Sequence, residues 1–173
     1  MLPETVEVDG SVYYIQTSFK HWLIFLRKAA SKADMKEYDF MYKGTPPQNK
    51  KRSFSALAHF CNPPQILPRI EKSNETVLDY QLDADYIYTA FMERYGIDLV
   101  ESEMHWYKFQ ALLRGLHDTK LNEIIGYRSY ENTSGKQDGY TRQMIKMREM
   151  WELPQESDES DEDLQAFEAL LNP

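Results

Sequence analysis

Apolar side chains in this chain recur mostly at helical spacing, and the clearest run lies within residues 79–128. Ile87, Phe91 and Tyr95 fall at i, i+4 and i+8, behind Asp83 as N-cap and ahead of Gly96, whose left-handed freedom ends a helix. Trp106, Phe109, Leu113 and Leu116 recur at i, i+3, i+7 and i+10, with Ser102 as their cap and Gly115 near their end. Asp118 or Thr119 opens a third and narrower stripe, Leu121, Ile124 and Ile125, before Arg128. The short turns predict three helices packed as consecutive neighbours, a core in which the indole of Trp106 is the anchor.

Before this run the period changes. Val6 and Val8 alternate, Asp9-Gly10 is a type I′ turn pair, and Val12, Tyr13, Tyr14 and Ile15 favour strand, which together predict a β-hairpin. A lone hairpin is marginal and must rest on a partner. The helix that starts near Thr17 or Ser18 supplies one, with Phe19, Trp22, Leu23 and Leu26 on its apolar face and Lys20, Arg27 and Lys28 on or beside the solvent side. Residues 31–52 are basic and broken by Gly44, Pro46 and Pro47, and predict a loop in which Tyr38, Phe40, Met41 and Tyr42 form a short docked element at most. Ser53 caps a short helix carrying Phe54, Leu57, Ala58 and Cys61, stopped by Asn62-Pro63-Pro64 and paired with the first helix. A polar linker follows from Gln65 to Leu78.

After the loop that follows Arg128, Asp138 or Thr141 opens a helix with Tyr140, Met144, Met147 and Trp151 on one side, and Pro154 stops it. The fold class is therefore mainly α: a single helical domain over residues 1–153 with an N-terminal hairpin, then an acidic, disordered tail over residues 154–173. That tail regains helical spacing in LQAFEALL, where Leu164, Phe167, Leu170 and Leu171 make an apolar face. Eight residues are too few for a stable isolated helix, so the segment is expected to fold only on docking. Those four residues are the candidate partner-binding positions; the alternative reading is a solubilising tail with a few stray apolar residues. The groove belongs either to a client or neighbouring subunit, or to the chain's own basic stretch, residues 20–72.

Charge sharpens this division. The net charge is −8, and the eight acids from Glu152 onward, with no base among them, account for all of it. Residues 20–72 hold 11 bases and 4 acids, whereas residues 73–131 hold 5 bases and 11 acids. The chain is a dipole in sequence. One Cys among 173 residues rules out an internal disulfide and fits a reducing compartment. No apolar run approaches the roughly 20 residues of a membrane span, and the opening MLPETVEVDG lacks the plan of a signal peptide, so a bacterial host cytoplasm is the expected location.

The strings DADYIYTAFMERYGIDL, MHWYKFQALLRGL and IIGYR, taken in order, resemble the gene-product-fifteen family of siphophage proteins. The matching positions include Asp85, Ile87, Phe91, Tyr95-Gly96-Ile97, His105-Trp106, Phe109, Leu112-Leu113, Leu116, Ile124-Ile125 and Arg128. The opening LPETVEVDGSVYYIQTSFKHWL is similar as well, so the likeness extends over most of residues 1–150. Genes of this family typically lie between those for the major tail protein and the tape measure. The resemblance implies a tail assembly chaperone whose partner is the tape-measure protein; the major tail protein and further copies of the chain are additional candidate partners.

Candidate chemistry is sparse. His59 and Cys61 stand at i and i+2, which point apart on a helix, and burial of the thiol is the simpler account. His21, His59, His105 and His117 are scattered without metal-ligand spacing. Asp83 and Asp85 suit the first turn of a helix, where carboxylates meet unpaired N–H groups. Lys50-Lys51-Arg52, flanked by Tyr38, Phe40, Tyr42 and Phe54, is a weak phosphate-contacting run in an acidic chain, and nucleic acid is not an expected partner. No catalytic, cofactor-binding or metal-binding residue is assigned, and the chain is read as no enzyme. The rival reading is an acidic phage protein that mimics nucleic acid and inhibits a host DNA-acting enzyme; a formally neutral body counts against it.

Overall fold

A computed structural model describes residues 1–62, 76–132, 135 and 138–154. Among them are six α-helices, one 3₁₀ segment and one two-stranded antiparallel sheet, so the predicted fold class holds. The chain divides into two compact units. The first comprises residues 1–62 and 102–112, the second residues 76–101 and 113–154.

The first unit opens with the hairpin, β1 (Thr5–Val8) and β2 (Ser11–Tyr14), in the register Val6 to Tyr13 and Val8 to Ser11. Asp9 and Gly10 have φ of 52° and 77°, the two positive angles that a type I′ turn requires. Val6 and Val8 face inward toward α2, whereas Val12 and Tyr14 are exposed on the other face. Tyr14 and Gln16 continue the pairing with Lys43 and Met41 through backbone hydrogen bonds.

Helix α1 (Phe19–Ala30) buries Phe19, Trp22, Ile24 and Phe25. The expected apolar face is corrected here: Ile24 and Phe25 are buried, Leu23 and Leu26 only half-buried. Lys20 and Lys28 lie with 16% and 13% of their side chains exposed, not in open solvent. The stretch after α1 is more ordered than a loop. Asp34 and Glu37 form a capping box that opens a 3₁₀ segment, Met35–Met41, with Tyr38 and Met41 buried. Helix α2 (Lys50–Cys61) begins three residues before the predicted cap. Asn49 caps it through Arg52 N, which frees Ser53 to be buried with its hydroxyl 2.7 Å from that of Tyr42.

Helix α4 (Trp106–Arg114) starts in this unit, and its cap is not Ser102. His105 accepts from the Tyr107 N–H at Nδ1 and donates from Nε2 to the Pro3 carbonyl, which ties the start of α4 to the N-terminal strand. Trp106 and Phe109 are buried as core residues, as expected. Phe109 stacks on Phe19 at 4.7 Å, and Trp106 stacks on Trp22 at 6.2 Å. The helices that precede and follow α4 in sequence belong to the second unit. There α3 (Ala84–Tyr95) lies against α5 (Lys120–Arg128), and α5 against α6 (Gly139–Trp151). Gly96 ends α3 at φ 63°, Thr119 and Asn122 form the capping box of α5, and Asp138 caps α6 through Thr141 N. Tyr140, expected on the inner side of α6, is 65% exposed, while Thr141 is buried in its place.

Candidate functional site

The buried charge of the second unit is concentrated at one point. The Arg128 guanidinium donates from Nη1 to Asp83 Oδ2 at 2.6 Å and from Nη2 to Asp83 Oδ1 at 2.9 Å, a bidentate pair with side chains 8% and 1% exposed. Nε donates to the Trp151 carbonyl at 2.6 Å, and Nη1 also reaches the Val77 carbonyl at 3.2 Å. Asp83 Oδ2 further accepts from the Asp79 N–H. Asp83 thus makes no side-chain cap on α3, contrary to the expectation. Its carboxylate is used to neutralise Arg128, and Asp79 accepts from the nearby Gln81 and Leu82 N–H groups instead. One guanidinium thereby joins the segment before α3, the start of α3, α5 and the last residue of α6. Asp85 is exposed and stays out of this network.

In the first unit the polar contacts likewise hold elements together. The indole of Trp106 donates to the Cys61 carbonyl at 2.9 Å, Gln110 Nε2 reaches the same oxygen, and the Tyr107 hydroxyl donates to the Phe60 carbonyl. These bonds satisfy the last turn of α2, whose carbonyls have no helical partner. The Cys61 thiol is buried and pushed up to about 12 by desolvation, so it is protonated and unreactive near neutrality. His59 is exposed. The basic run divides: Lys50 pairs with Asp39 at 2.6 Å, Arg52 pairs with Asp9 in the hairpin turn, and Lys51 is exposed. Residues 45–49 and the hairpin residues Val8, Asp9 and Tyr13 line an open depression beside that pair.

The four histidines stay apart. His21 stacks on Phe40, His105 caps α4, and His117 lies between Arg94 and Asp118. Burial lowers the His21 pKa from 6.5 against the opposing pull of Glu103, and the hydrogen bond from Lys20 holds the Glu103 carboxyl below its usual range. Among the described residues, no three His, Cys, Asp or Glu side chains converge as a metal site, and no helix is long and apolar enough to cross a membrane. Leu164, Phe167, Leu170 and Leu171 lie outside the described residues, as does most of the linker after Asn62.

Two residues central to this arrangement were not assigned their roles by sequence. Asp83 and Arg128 are 45 positions apart, and no local spacing signals an ion pair at that distance. Ser53 read as a cap because Ser favours that position, and only the approach of Tyr42 shows its use.

Fold and polar networks define a small, mainly helical protein whose described residues form two compact units, the first tied by side chains of α4 to the end of α2 and the second by Arg128 across several elements. A family model described as Bacteriophage Gp15 protein matches residues 29–153, and the chain belongs to this family of phage proteins. The match includes the segments of the second unit and begins after the hairpin, whose likeness to the family it does not include. No curated protein and no solved structure matches the chain.

Proposed function

We propose that the protein is a non-enzymatic tail assembly factor that acts in the host cytoplasm as a chaperone for the tape-measure protein. Membership of the phage family over residues 29–153 is the observation that carries this reading. The physical task is to cover apolar helix faces of a long client until the tail tube surrounds it. Such a holder needs side chains available for exchange with water and no turnover chemistry. Among the described residues, Val12 and Tyr14 on the hairpin and Ile145 and Met150 on α6 are exposed, and they support the reading. Several copies along one client gain avidity, because each neighbour is bound at a raised effective concentration.

Co-expression with the tape-measure protein, or a helical fragment of it, tests the proposal. The client's soluble fraction is expected to rise and the two chains to elute together on size exclusion. A client that stays equally insoluble, with no shared peak, counts against it.

A further inference from the structure

Helix α6 is seated on α5 by few buried side chains. Of its 13 residues only Thr141 is buried, whereas α3 buries Ile87, Ala90 and Phe91, and α5 buries Leu121, Ile124 and Arg128. Met144, Met147 and Trp151, at i, i+3 and i+7, are its half-buried apolar residues. Two carbonyl contacts fasten it: Arg128 Nε donates to the Trp151 carbonyl, and Arg148 Nη1 donates to the Tyr130 carbonyl at 3.0 Å. The Trp151 ring meets Tyr86 edge-on at 5.8 Å. Its indole N–H, however, is buried without a hydrogen-bond partner among the described residues. Such a group costs free energy that a Leu or Met at the same place would not.

We propose that α6 is the resident occupant of an exchangeable helix groove, and that a basic amphipathic helix of a client, apolar at i, i+3 and i+7, displaces it and takes its seat. The inference rests on the reading of the protein as a holder of client helices. Charge selects the occupant. The described residues of this unit outside 138–154 hold nine Asp and Glu against four Lys and Arg, whereas α6 carries three cations and one acid. A helix of the same sign is drawn to the same place. A helix that buries one residue in 13 separates from its seat at less cost than the unfolding of α3 and α5 requires. Two of its inner residues are Met, whose unbranched side chains suit a seat that accepts more than one sequence. Arg128 is held by Asp83 whether or not α6 is in place, so its Nε stays available to the last carbonyl of either helix. While no client is bound, α6 keeps the groove out of water.

The test uses the intact chain and a fluorescein-labelled peptide of its own residues 138–152. In the unmodified chain, amide exchange across α6 is expected to run at least about tenfold faster than across α3 and α5. The peptide should bind the intact chain, and about tenfold tighter when the chain's own α6 carries Met144→Asp, because the resident helix then competes less. Exchange in α6 no faster than in α3 and α5 would overturn the detachable helix. A peptide that binds neither chain, or binds both equally, would overturn the groove. A helical fragment of the tape-measure protein should release the bound peptide. A fragment that binds without releasing it overturns the groove as the client's seat and leaves the chaperone reading standing; a peptide that binds where the fragment does not supports the groove and counts against that reading.

Discussion

Arg128 is the side chain on which the second unit depends most. Its partner Asp83 is almost completely withdrawn from water, so removal of the guanidinium leaves a carboxylate with neither solvent nor cation. Arg128→Met is expected to cost about 3–5 kcal/mol, and Asp83→Leu added to it should recover much of that loss, because an apolar pair does not need desolvated charge to be matched. Urea unfolding of the single and double variants measures both; a double variant as unstable as the single would contradict this account. Phe109, 1% exposed in the first unit, is a simpler case, and Phe109→Ala should lower stability by about 3–5 kcal/mol in the same assay. His21 gives a pH dependence whose sign follows from its burial. The folded chain holds the imidazole neutral below 6.5, where the unfolded chain takes up a proton, so this contribution is complete above that value. It is lost as the pH falls from 6.5 through the depressed folded value. Melting temperatures recorded across that range should fall less steeply for His21→Phe, and equal slopes would exclude His21 as a cause.

Individual elements show which signals act locally and which depend on distant partners. The hairpin turn was legible because Asp9 and Gly10 alone determine two positive φ angles, and Gly96 and Asp138 end and start helices through their own backbone neighbours. Gly96→Ala should therefore cost about 1–2 kcal/mol from left-handed strain alone, since a Cβ there meets nothing within 4 Å. A melting curve unchanged by that substitution would contradict the strain. Other elements were settled by tertiary contacts. Tyr38 packs edge-on against Phe25 and Phe54, which docks a 3₁₀ segment within a broken basic stretch through its buried Tyr38 and Met41. Trp106 had the right periodicity for a core residue, yet its stacking partner Trp22 lies 84 positions earlier, beyond anything a helical stripe encodes. Asp83 stands at the N-cap position of α3 as read, but its carboxylate pairs with Arg128 and accepts no hydrogen bond from the helix's first turn.

At the scale of the molecule, charge and architecture agree. The excess of bases in residues 20–72 and of acids in residues 73–131 has its counterpart in the two compact units, one net positive and one net negative among the described residues. A binding partner with charged and apolar stripes meets different surfaces on each, and its affinity should weaken with salt. The family was legible from ordered strings in the 79–128 run, since those positions combine core spacing with Gly96 and Arg128 at structurally constrained places. The proposed client rests on that family alone, because an interface leaves no fixed spacing of the kind that metal ligands or capping boxes leave. The most direct measurement is size exclusion with light scattering of the purified chain mixed with a purified helical fragment of the tape-measure protein. The account predicts a complex with more than one copy of the chain per fragment, weakened by salt; separate elution of two folded components at every ratio would contradict it.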